Sequence, residues 1–176
     1  MKKTTTFLAL CMLAAAPASA QSIGEKTGAN SVLGITPSTE DFVMQAAQSD
    51  KFEIRSSELA AAKGDEATKT FAAQMIDAHK KTTEELTALV GSDAPKVSLP
   101  TDMSSGQVSM LDDLKGRSGG DLSDQYVDDQ VSAHKDAVSL FQRYADGGDN
   151  PKLKAWAAQT LPALQHHLEM AQQLDK

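Results

Sequence analysis

Apolar positions recur at steps of three and four through four long stretches of the chain, the spacing that lines one side of an α-helix. The first stretch, Phe42 to Lys63, is Ala-rich and holds no internal glycine or proline. The second carries Phe71, Met75, Ile76, His79, Thr83, Leu86 and Val90, and the third Val127, Val131, His134, Val138 and Phe141. Leu153, Ala157, Thr160, Leu164, His167, Ala171 and Leu174 mark one face of the fourth. No stretch alternates apolar and polar residues as a half-buried strand does.

Boundary residues agree with this division. Ser38 with Asp41 forms the start signal of the first helix, Gly64 ends it, and Asp65 caps a second that runs to Val90 before Gly91. The third helix is expected from Ser123 to about Ala145, stopped by Gly147-Gly148, and Asn150-Pro151 is an N-cap and first-turn pair for the fourth. Pro162 lies inside that fourth helix, where it removes the hydrogen bond to the Ala158 carbonyl and is expected to bend the rod. Between the second and third helices, residues 92–122 hold two prolines and four glycines, with one amphipathic piece around Val108, Leu111 and Leu114. Two tight hairpins joined by one long crossover with a short extra helix describe an all-α, ferritin-like four-helix bundle over residues 38–176.

The two ends add a destination. Lys2 and Lys3, an apolar run from Phe7 to Ala16 and then Ala18-Ser19-Ala20 read as a cleaved signal peptide over residues 1–20, so export to the periplasm is expected. Residues 21–37 mix Ser, Gly, Thr and Asn with few large apolar side chains and read as a flexible entry segment. Cys11 is the only cysteine and falls within the leader, which removes disulfides, thiolate metal sites and cysteine nucleophiles from the mature chain. The formal charge of −7 becomes −9 once the leader's lysines are gone. With no basic cluster and no apolar run of about 18 residues, neither nucleic acid nor a transmembrane segment is expected, and a protein of the cell envelope is the partner class left.

Each long helix also places one polar, metal-capable side chain near its middle, on or beside its apolar stripe: Glu53, His79, His134 and His167. Imidazole and carboxylate are ligands that zinc, copper and iron all accept, so the set points to one transition metal ion, with Asp50 as a second carboxylate orienting a ligand from behind. The same residues equally describe a metal-free polar core in which neutral imidazoles and Glu53 satisfy one another. Diiron and dimanganese bundles need Glu-x-x-His on two helices, and this chain has none. Asp77, Asp128 and Asp129 fall off the inner faces by helical phase. His166 with Glu169 reads as a solvated pair, and Trp156 as a packing anchor. Nothing here names a reaction, and the sequence leans toward binding rather than catalysis.

As a set, several spaced motifs over residues 40–175 resemble the bacterial exported family called domain of unknown function 4142, whose members are labelled outer membrane proteins and grouped with ferritin-like bundles. The likeness rests on Phe42, Glu53 and Leu59-Ala60, on Phe71-Ala72 with Met75-Ile76-Asp77 and His79, and on Tyr126 with His134 and Leu140-Phe141. Leu153-Lys154 leading to Leu161-Pro162-Ala163-Leu164 and His167-Leu168 completes it. The resemblance implies the bundle, export, and Glu53, His79, His134 and His167 as the matching polar positions. It implies no activity. Where the family often has an acidic residue directly before the second helix's histidine, this chain has Ala78.

Overall fold

The computed structural model describes residues 22–26 and 28–175, and the expected leader lies outside the described residues. Within them every regular element is an α-helix and no strand forms. Its elements are α1 (Ile23–Lys26), α2 (Ala29–Val32), α3 (Thr39–Lys63), α4 (Glu66–Asp93), α5 (Ser105–Lys115), α6 (Gly119–Gly147) and α7 (Pro151–Leu174). None of these helices is long and apolar enough to cross a membrane.

The caps sit where the sequence signals them. Ser38 Oγ accepts from Asp41 N at 3.1 Å, Asp65 Oδ1 accepts from Thr68 N at 2.8 Å, and Asn150 Oδ1 takes the amides of Lys152 and Leu153 at 3.1 Å. Each satisfies donors that the first turn of a helix leaves unpaired. Other boundaries move. α4 passes Gly91, whose surroundings are open, and ends at Asp93, because Ala94 precedes Pro95 and is held away from helical geometry. α6 begins at Gly119 rather than Ser123, and burial of Leu122 and Ser123 draws the two glycines into its first turn. The crossover thus shortens to residues 94–118 and carries α5, capped by a reciprocal Ser104–Gln107 box, with Leu111 and Leu114 inward and Val108 exposed. α7 continues through Pro162 without interruption.

α3 packs along α4 and α6 along α7, and the pairs close into a ring through contacts of α3 with α6 and α4 with α7. α5 lies across the α3–α6 side. The apolar interior falls into two main bodies. One gathers Phe42, Leu86, Phe141, Tyr144, Leu153, Trp156 and Leu164, with the rings of Phe42 and Tyr144 stacked at 4.0 Å between centroids. The other gathers Phe71, Met75, Leu114, Leu122, Tyr126 and Ala171 at the opposite end. Reading along any long helix from one body to the other crosses an intervening polar level: Asp50 and Glu53 on α3, His79 on α4, His134 on α6 and His167 on α7.

The entry segment, which composition alone marked as flexible, is tied to this frame by an ion pair. Glu25 receives Arg143 Nη1 at 2.8 Å and Nη2 at 3.2 Å, while Nη1 also donates to the Ile35 carbonyl at 2.6 Å and Gln45 Nε2 donates to Glu25 at 3.0 Å. Burial pushes the Glu25 carboxyl up, yet hydrogen bonds from Arg143, Gln45 and Asn30 outweigh it and leave the group below the ordinary carboxylate range. Gly147 makes the crossing possible, since a Cβ there would run into the side chain of Thr36. Ile23 and Val32 remain 82% and 88% exposed on the outer side of the segment.

Removing one member of a buried bidentate pair strands its partner, which costs about 3–5 kcal/mol, whereas removing both together costs much less. Urea unfolding of Glu25→Leu is therefore expected to show a loss of about 3 kcal/mol, and Glu25→Leu/Arg143→Leu to recover most of it. Equal stability of Glu25→Leu and the parent chain would show that the segment is not fastened in this way.

Candidate metal centre

At the polar level three imidazoles face one another across the helix ring. His79, His134 and His167 have ring centroids 5.5–5.8 Å apart, with planes inclined by 55–81°. One nitrogen from each lies within 4.8 Å of the other two. His79 and His134 are buried, at 3% and 1% exposure, and His167 is partly open to solvent. Helical register explains the meeting: each histidine sits three or four residues from buried apolar neighbours, Met75 for His79, Val131 for His134 and Leu164 for His167, so the packing that buries those residues turns the imidazoles inward.

The outer nitrogens of two of the rings are already committed. His79 Nδ1 stands 2.8 Å from Asp50 Oδ1, and His134 Nδ1 stands 2.9 Å from the carbonyl of Gln130, one turn back on its own helix. A carbonyl only accepts, so His134 Nδ1 carries the hydrogen and its Nε2 presents a lone pair in the neutral ring. Asp50 is itself held by the Thr82 hydroxyl at 2.9 Å and the Thr83 hydroxyl at 3.1 Å. Carboxylate behind imidazole, with the far nitrogen left over, is the arrangement that orients histidine ligands toward a metal. The nitrogens left without a partner are His79 Nε2, His134 Nε2 and His167 Nδ1, each buried.

Glu53 is brought to the same level but stands apart from the nitrogen triangle. Its Oε1 lies 3.8 Å from His134 Nδ1, the nitrogen already turned toward Gln130, and its Oε2 is buried without a partner. Asp50 lies behind His79, on the side of the ring away from the triangle. Asp129, off the inner face of α6, is buried on the side facing Asp113 and Arg117, with Gln125 donating to Oδ1 at 3.0 Å. Sequence reading set Thr83 on the stripe without a role and passed over Thr82; their adjacent hydroxyls, three and four residues past His79, are the signal that α4 receives a carboxylate there.

Electrostatics separate the groups. Burial lowers His134 to about 4, helped by the charge of His79 and opposed by the Gln130 carbonyl. Burial also lowers His167 to about 3, with His134, His79 and His166 adding to it. Burial would lower His79 as well, but the Asp50 hydrogen bond and the charges of Glu53 and Asp50 win, and it is raised. Burial lifts Glu53 to about 7 against the pull of His79 and Gln130. Near neutral pH two imidazoles are uncharged, and the third favours a positive charge at Nε2, whether a proton or a metal cation.

These shifts set a pH dependence for chelator-treated protein. A histidine whose folded value lies below 6.5 takes up protons in the unfolded chain first, so its stabilising contribution is complete above pH 6.5 and is lost as pH falls toward 4. For His134 that loss is about 3 kcal/mol. Glu53 works oppositely, weakening the fold as pH rises from 4.5 through about 7. Urea midpoints measured from pH 7 to pH 4 should therefore fall less steeply for His134→Gln than for the parent chain, Glu53 being common to both. Parallel curves would contradict the buried, neutral state of His134.

Comparison with known proteins places the chain without naming a reaction. A family model described as domain of unknown function (DUF4142) matches residues 24–174, which takes in every helix from α2 to α7 and all of the residues at the polar level. The searches of curated proteins and of solved structures return no match. Since the family model covers most of the sequence, the chain belongs to the DUF4142 family.

Proposed function

We propose that this is an exported four-helix-bundle protein that binds one transition metal ion, zinc, copper or iron, through His79, His134 and His167. The carrying observation is the convergence of three buried, unpartnered ring nitrogens, two of them on rings whose other nitrogen is already fixed. Leaving a buried polar atom unmade costs about 1–3 kcal/mol, and three at one point are most simply satisfied by a shared cation. A tetrahedral ion bound at 2.0–2.1 Å holds its nitrogens about 3.4 Å apart, so the rings would draw together on binding. Asp50 would orient His79 and strengthen it as a donor, and Glu53 would supply a nearby charge that balances the ion.

The helix pairing and single crossover support the ferritin-like form of the bundle, and the leader sequence supports a periplasmic location. The competing reading is a non-catalytic envelope protein whose polar level stays metal-free and fixes helix register. Neutral His134 and His167 beside a Glu53 half-protonated near pH 7 are what such a core would contain.

Elemental analysis of protein purified without an affinity tag separates the two. One equivalent of a single transition metal is expected in the parent chain and none in His79→Ala/His134→Ala. Asp50→Asn should keep the fold and weaken metal binding about 10- to 100-fold. If the parent chain neither carries nor retains zinc, copper or iron, the metal reading is wrong and the polar core is structural.

A further inference from the structure

Three histidines leave a four-coordinate ion one position short, and the surroundings of the triangle show where that position faces. Between α4 and α7 a cleft of about 340 Å³ descends from the surface past Ala78, Thr82 and Ala163, and is lined at the polar level by His79 and His167. His79 Nε2 and His167 Nδ1, two of the unpartnered nitrogens, belong to these lining rings. The opposite face has a larger groove, about 440 Å³, among α3, α5 and α6, but it is lined by Phe52, Ala133 and Asp136 and reaches no histidine. Of these two grooves, the α4–α7 cleft is the one that reaches the triangle.

The chemistry of the cleft selects what enters. Its one lining carboxylate, Glu85, accepts from Trp156 Nε1 at 2.9 Å and pairs with Lys81 at 3.8 Å, so its charge is answered locally. The remaining polar lining groups are the hydroxyls of Thr82 and Thr160 and the amide of Gln159, which are neutral. The inner ligand set contains no carboxylate, Asp50 being spent on the back of His79. An ion held by three imidazoles has no anionic ligand of its own, and with Asp50 and Glu53 both lying behind the rings its uncompensated charge faces the cleft, where it attracts an anion.

Resting on the metal reading above, we propose that the bound ion keeps an exchangeable coordination position that a small anion reaches through the α4–α7 cleft and occupies directly. The site is thus built to present its metal to a diffusible ligand rather than to enclose it as a structural ion is enclosed.

Azide is a suitable probe, added to full chain loaded with one equivalent of copper(II) and followed by its charge-transfer absorption and by electron paramagnetic resonance. The parent chain is expected to bind one azide per copper. Ala163→Phe and Gln159→Trp, both at exposed α7 positions on the cleft wall, should hold copper with an unchanged resonance while azide binding slows at least tenfold. Ala133→Phe, on the opposite groove, should behave as the parent. Copper retained with no response to azide overturns the open position but leaves the metal site standing. Azide binding at the parent rate in both cleft variants overturns the route. Failure to retain copper, zinc or iron at all removes the metal reading and this inference with it.

Discussion

A layer of ionisable side chains lies between two apolar bodies, and the packing of the four long helices is what brings it together. Phe42, Tyr144 and Trp156 close it at one end, and Phe71, Met75 and Tyr126 at the other. Four buried atoms of the layer find no partner within the chain, Glu53 Oε2 and one nitrogen on each of three histidines. At about 1–3 kcal/mol apiece they cost an amount comparable to the whole stability of an ordinary domain. That cost falls at one level, on residues from four separate helices.

The tautomers follow from the same constraint. His134 is fixed by a carbonyl of its own helix, so the direction of its free nitrogen depends only on α6 being helical. His79 is fixed across the hairpin, through a carboxylate that two threonines of α4 also reach. His167, partly open and bordering the cleft, has neither restraint among the bonds seen for the other two, and its position depends on how α7 packs. Side-chain restraint therefore falls off across the triangle, from His134 and His79 to His167.

Much of this was legible in the sequence, for reasons that residue positions make plain. Three of the four histidines lie on three-and-four repeats, and burial of the repeats leaves no other direction for the rings. The division of labour between the two carboxylates was also open to counting. Asp50 lies 14 residues before Gly64 and His79 lies 15 after it, so the two are level across a tight hairpin, whereas Glu53 at 11 is a turn too near the bend and ends beside His134. The ion pair of Glu25 with Arg143 left no such trace, because it joins a short turn of a polar segment to the far end of another helix and no periodicity links them. The burial of Asp129 left no trace for a related reason: phase around the long-helix ring says nothing of α5, which packs against α6 from outside that ring.

The clasp between Glu25 and Arg143 spans 118 positions of the chain, one of the longest separations among its side-chain bonds. A ribosome making this chain releases the carboxylate long before the guanidinium exists, so the fastening cannot close until α6 is nearly finished. Until then the segment is held by its bonds to α3, from Ser22 to Asp41 and from Gln45 to Glu25. The order of synthesis thus makes this fastening among the last to close, so the short first segment is clamped onto helices that have already been made.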